Sequence, residues 1–140
     1  MKTKTKAIAL ILIIVTIVSL LPCTVIAASA DNTISPLWQN THIVNCYLFE
    51  NDDEYAYAEA TIIGEPTVSK ITVDVYVYQQ VGSAWMYVGQ DHKTVNNNRL
   101  LAISYRFTPK QGSSYRADFT FVVTKNGVDE TINTTKYLTT

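Results

Sequence analysis

Ile71-Thr72-Val73-Asp74-Val75-Tyr76-Val77-Tyr78 alternates without interruption. Its odd positions are β-branched and apolar, and its even positions carry hydroxyl, carboxylate or phenol groups. Side chains of a strand point alternately to opposite faces. The stretch therefore reads as a half-buried strand with one wet face. Two neighbours repeat the pattern. Ala56, Ala58, Ala60 and Ile62 alternate with Tyr55, Tyr57, Glu59 and Thr61, and such small inward residues let an opposing sheet come close. Tyr115, Ala117, Phe119, Phe121 and Val123 alternate with Arg116, Asp118, Thr120 and Val122. No helical period of comparable length follows residue 30.

Turn residues punctuate these runs at regular intervals. Asn51-Asp52-Asp53 follows a strand expected over 41–50, and Gly64-Glu65-Pro66 closes one over 55–63. Gly82-Ser83 separates 71–79 from a short strand led by Trp85. Asn96-Asn97-Asn98 precedes Leu100–Phe107, and Pro109 to Ser114 forms a longer crossing loop. Asn126-Gly127 is the strongest hairpin signal, because both residues tolerate positive φ. It joins 115–124 to a last strand near 129–138. The expectation is an all-β fold of seven antiparallel strands, an immunoglobulin-like sandwich over 41–140. Residues 31–40 are an extended lead-in pinned by Trp38.

The N-terminus is of another kind. Lys2, Lys4 and Lys6 precede an uncharged apolar run from Ala7 to Leu21, then Pro22 and the small residues Ala28-Ser29-Ala30. This is the pattern of a signal peptide helix over 1–30, cleaved on export. The alternative is an uncleaved membrane anchor, but a spanning helix needs about 20 apolar residues and the run is shorter. Pro22 before Cys23 makes a poor lipidation site. The expected location is extracellular, with the membrane met only through the signal.

Removing residues 1–30 alters the composition. Cys46 is then the sole cysteine, so no internal disulfide is possible, and it reads as a small buried hydrophobe. Eleven basic residues fall to eight with the loss of three lysines, against twelve acidic ones, for a net charge of −4. The remaining basic residues are scattered singly. Both features argue against nucleic acid as a partner.

Gly112-Ser113-Ser114-Tyr115-Arg116-Ala117-Asp118-Phe119 resembles the start of strand F in fibronectin type III domains. That resemblance implies that Tyr115 reaches back over the preceding loop as a tyrosine corner. Phe107 and Pro109 lie upstream as in that family, with a loop about two residues longer. The chain also resembles a group of small exported proteins of Gram-positive bacteria. The shared features are the signal peptide, Ile34-Ser35-Pro36-Leu37-Trp38, Trp85 to Val88 and the Gly112 to Arg116 run. The group implies an exported protein and carries no assigned activity.

Chemistry is sparse. His42, in phase with Val44, Cys46 and Leu48, and His92, between Asp91 and Lys93, are the only histidines. No Gly-x-Ser-x-Gly elbow positions a nucleophile, so the chain reads as no enzyme. Spaced zinc ligands and a phosphate-binding glycine loop are absent from the sequence, and no cofactor is expected. Glu50, Asp52, Asp53 and Glu54 crowd one turn and could supply oxygens to calcium, or serve as a solvated acidic turn. The aromatics are the better lead. Tyr76 and Tyr78 point away from the core face of their strand, and Tyr87 joins them if the Trp85 strand pairs with 71–79. Tyr76, Tyr78, Trp85 and Tyr87 are thus the expected contact surface for a protein or glycan partner. The function expected is a binding or interaction module at the cell surface or in the medium. The alternatives are a carbohydrate-binding protein, a toxin-like effector and a small hydrolase.

Overall fold

The computed structural model describes residues 38–51 and 54–140. Among them the chain forms seven strands and no helix: β1 (Thr41–Glu50), β2 (Ala56–Gly64), β3 (Val68–Val81), β4 (Ala84–Asn96), β5 (Leu100–Phe107), β6 (Ser114–Lys125) and β7 (Val128–Thr139). All pairings are antiparallel. β1-β2-β5 make one sheet and β4-β3-β6-β7 the other, and the two pack as a β-sandwich. The signal-peptide reading of residues 1–30 lies outside the described residues, as do 31–37 of the lead-in.

Period two becomes burial on every central strand. Ile71, Val73, Val75 and Val77 of β3 are wholly buried, as are Ala117, Phe121 and Val123 of β6. Facing them, β2 contributes Ala56, Ala58, Ala60 and Ile62. Alanines opposite phenylalanines fill the space between sheets in complementary sizes, as close packing requires. β5 adds Leu101, Ile103 and Phe107, and β1 adds Cys46. Burial pushes the Cys46 thiol up to about 11, with Lys136 pulling the other way.

The turns follow their residues. Asn126 (φ 53°) and Gly127 (φ 76°) both take the left-handed conformation, the requirement of a tight hairpin joining Lys125 to Val128. In the loop before β6, the Lys110 N–H donates to Tyr115 Oη at 2.7 Å. The buried Tyr115 ring packs on Phe107 at 5.1 Å. The phenol thus satisfies a loop amide while its ring fills the core, which is the tyrosine-corner geometry the resemblance implies.

Two expectations are corrected, the length of the strand led by Trp85 and the side taken by His42. The strand led by Trp85 is long: β4 has 13 residues and pairs with β3 from Ala84 to Asn96. Gln90-Asp91-His92-Lys93-Thr94 lacks hydrophobic alternation because β4 is an edge strand, where charged residues discourage further pairing. A bulge at Val88 shifts the register, so Tyr78 faces Tyr87 while Val77 faces Gly89. Gly89 is buried beneath the Tyr105 phenol of β5, where a Cβ would collide with Tyr105 Oη. His42 does not share the inward side with Cys46. It is the extra residue of a register shift between Thr41 and Ile43, and its exposed ring lies 3.9 Å from Glu65. Trp38 is half-buried against the core, as expected, and polar contacts hold the end of the lead-in as well. Asn40 Nδ2 donates to the carbonyls of Val123 (3.0 Å) and Val128 (3.1 Å), and the Gln39 and Asn40 N–H groups donate to the Glu130 carboxylate.

Candidate functional site

The outer face of the four-stranded sheet collects the expected residues. Register places Tyr87 of β4 opposite Tyr78 of β3, Tyr78 opposite Arg116 of β6, and Arg116 opposite Tyr137 of β7. One row of side chains therefore crosses all four strands. Its length is about 14 Å, three inter-strand spacings. Trp85, two residues before Tyr87 and opposite Gln80, joins the row by leaning inward along it.

The Arg116 guanidinium holds the row together. Its carbon sits 4.7 Å from the Tyr78 ring centre and 5.1 Å from that of Trp85. Nη2 donates to Asp118 Oδ2 at 2.9 Å, and Nε has no partner. A cation over an aromatic face is attracted by the ring quadrupole, so Arg116 fixes both rings. Tyr78 meets Tyr87 edge-on at 6.1 Å, and Trp85 meets Tyr137 at 6.0 Å. The row's two ends are its free surfaces: Tyr87 is 58% exposed and Tyr137 67%.

The other rungs are polar. The next runs Gln90, Tyr76, Asp118, Thr135, and the one after it His92, Asp74, Thr120, Asn133. Thr135 Oγ1 donates to Asp118 Oδ1 and Thr120 Oγ1 to Asn133 Oδ1, both at 2.9 Å. These residues, with Arg116 and Tyr137, line a groove of about 370 Å³. A second groove of about 420 Å³ lies between β4 and β5. It is lined by Glu59, Asp91, Lys93 and Ser104, with Lys93 Nζ already donating to the Ala102 carbonyl. Burial first, then Tyr87 and Asp91, push the Tyr105 phenol upward.

All four expected binding residues share this face. Tyr76, Tyr78 and Trp85 are half-buried rather than free, and Tyr87 is exposed. Sequence reasoning missed Arg116 and Tyr137. Both were within reach of it: counting outward in equal steps from the Asn126-Gly127 turn pairs them directly. Of the acidic turn, Asp52 and Asp53 lie outside the described residues. Glu50 accepts from Gln111 Nε2 at 2.8 Å, and Glu54 is exposed. No group of three or more potential metal ligands occurs among the described residues.

The histidines have separate settings. His92 Nδ1 lies 2.6 Å from Asp74 Oδ1, and Nε2 lies 3.3 Å from Thr94 Oγ1. The order carboxylate, imidazole, hydroxyl is that of a nucleophilic relay. Here, however, the imidazole and the hydroxyl are both exposed on an open strand, and Thr94 also bonds Thr72 at 3.0 Å.

No family model and no curated protein matches the sequence. Solved structures do resemble the fold at low identity. A putative β-galactosidase from Bacteroides fragilis matches 69% of this chain at 13% identity and a TM-score of 0.44. AT1g01470 from Arabidopsis thaliana matches 73% at 7% identity and 0.43, and the sporulation control protein Spo0M of Bacillus subtilis 74% at 10% and 0.42. The chain spans only 16% of the galactosidase, against 82% of the Arabidopsis protein and 51% of Spo0M.

Proposed function

We propose that the protein is an exported, non-catalytic binding module of fibronectin III-like type that grips its partner through the outer face of the four-stranded sheet. The observation that carries this reading is the in-register row Tyr87, Tyr78, Arg116 and Tyr137, with Trp85 packed into it. Tyrosine, tryptophan and arginine are the residues that dominate binding energy where surfaces meet. The row is rigid before a partner arrives, because Arg116 clamps its middle, so little side-chain freedom remains to be lost on association. Its exposed ends give a partner two rings to cover.

Export is supported by the residues of the N-terminus. Among the described residues no helix is long and apolar enough to cross a membrane. The fibronectin-like classification is supported by the strand order and by the Tyr115 to Lys110 bond. Non-catalytic action is supported by the open setting of Asp74, His92 and Thr94.

Sedimentation of the purified protein with washed Gram-positive cells tests the reading. Wild type is expected to co-sediment, and a Tyr87→Ala/Tyr137→Ala double variant to bind about tenfold or more weakly, the loss of a hot-spot ring or two. Equal binding by both proteins would remove this face from the function.

A further inference from the structure

We propose that the groove beside Tyr137 takes an uncharged polyhydroxylated chain, a neutral glycan. This rests on the face assigned above and names its ligand. Four observations lead there. First, the groove carries no net charge: Arg116 is paired with Asp118 at 2.9 Å, and Thr120, Asn133, Thr135 and Tyr137 are neutral. It offers neither a polyanion nor a polycation an electrostatic reason to bind.

Second, its polar groups are ordered and only half used. Thr120 and Thr135 spend their protons on Asn133 and Asp118, which leaves both hydroxyl oxygens able to accept. Asn133 keeps both amide N–H donors, and Asp118 keeps lone pairs on a carboxylate already fixed by two contacts. Donors and acceptors thus alternate over two rungs. Sugar hydroxyls, each both donor and acceptor, fit such an array.

Third, the wall of the groove is a phenol ring 67% exposed. A pyranose has one face of C–H groups, and that face can lie against a ring while its hydroxyl edge meets the rungs. Fourth, the alternatives fit less well. A protein partner wants apolar, desolvated pockets around its anchors, but this groove is lined with polar groups. A peptide adding as a strand would use a sheet edge, not a side-chain face.

Native-gel affinity electrophoresis tests the proposal with soluble starch, hydroxyethylcellulose, laminarin, mannan and xylan embedded in separate gels, and hyaluronan as the charged control. At least one uncharged polysaccharide is expected to retard the wild-type protein. Asn133→Asp keeps the acceptor for Thr120 and removes both donors, and Tyr137→Ala removes the wall. Each should weaken retardation about tenfold or more while the protein stays folded, its melting temperature falling by no more than about 8 °C. Retardation by hyaluronan alone or by none of the polysaccharides, or retardation of both variants as strong as that of wild type, would overturn the glycan assignment. Sedimentation with cells separates this failure from failure of the face. If Tyr87→Ala/Tyr137→Ala still abolishes cell binding while no polysaccharide binds, the face stands and the partner is a protein. If the double variant binds cells like wild type, the face itself falls.

Discussion

The two sheets use aromatic residues differently. The four-stranded sheet turns Tyr115, Phe119 and Phe121 inward and still presents a cross-strand row of rings outward. The three-stranded sheet turns mostly small residues inward, Ala56, Ala58, Ala60 and Cys46, with Phe107 of β5 as its buried ring. Its outer face is also aromatic, with Phe49 stacked on Tyr57 at 5.7 Å, Arg106 4.6 Å from the Tyr55 ring centre, and Tyr47 58% exposed. Exposed rings therefore do not by themselves distinguish the candidate site. What distinguishes it is order: its rings lie in register across four strands around one guanidinium, beside a groove of hydrogen-bonded polar groups. On the other face Phe49, Tyr57 and Arg106 also stand in register, but across three strands, with the guanidinium at the end of the row and over Tyr55 rather than between its rings. Among the described residues no comparable polar groove is built from that row.

The largest test of this contrast lies on a single strand. Phe119 and Asp118 are neighbours on β6 that face opposite ways. Phe119→Ala opens a cavity opposite the alanines of β2, which have no bulk with which to fill it. A loss of about 3–5 kcal/mol is expected in urea denaturation. A loss below about 1 kcal/mol would mean that the three-stranded sheet collapses onto the gap.

Next comes Cys46, the inward residue of β1. Its thiol ionises near 9.0 when unfolded and is pushed up to about 11 when folded. The folded state thus holds the proton more tightly. That stabilisation is complete below pH about 9 and is lost as pH rises towards 11. The melting temperature of wild type should fall over this window by more than that of Cys46→Ala. Parallel slopes would show that the thiol does not set the alkaline limit.

Much of the inner architecture was legible because burying one face of a central strand and leaving the other to water enforces period two. Ile71 to Val77 and Tyr115 to Val123 could hardly be read otherwise. β4 was not legible at its full length, because an edge strand is half solvated and its polar residues carry no alternation. His42 was placed on the wrong side because a one-residue register shift inverts the parity of all that precedes it, and no local residue announces it. The site was half legible. Tyr76, Tyr78, Trp85 and Tyr87 follow from the β3–β4 hairpin. Arg116 and Tyr137 needed the register of the β6–β7 hairpin and also that of the non-local β3–β6 pairing, which sets Tyr78 opposite Arg116 and so joins Tyr87 and Tyr137 in one row.

The smallest effects on stability discriminate best between the two outer faces. Phe49→Ala on the three-stranded face and Tyr137→Ala on the four-stranded face each remove one ring of a surface aromatic pair. Phe49 is 36% exposed and Tyr137 67%, so Phe49→Ala should cost the more, yet each should remain near or below about 1 kcal/mol. Binding should order them the other way. Tyr137 ends the clamped row and walls the groove, so its loss weakens attachment to cells, while Phe49→Ala leaves attachment at the wild-type level. If Phe49→Ala also weakens attachment, the contact surface wraps around the sandwich, and order within the four-stranded face is not what makes it a site.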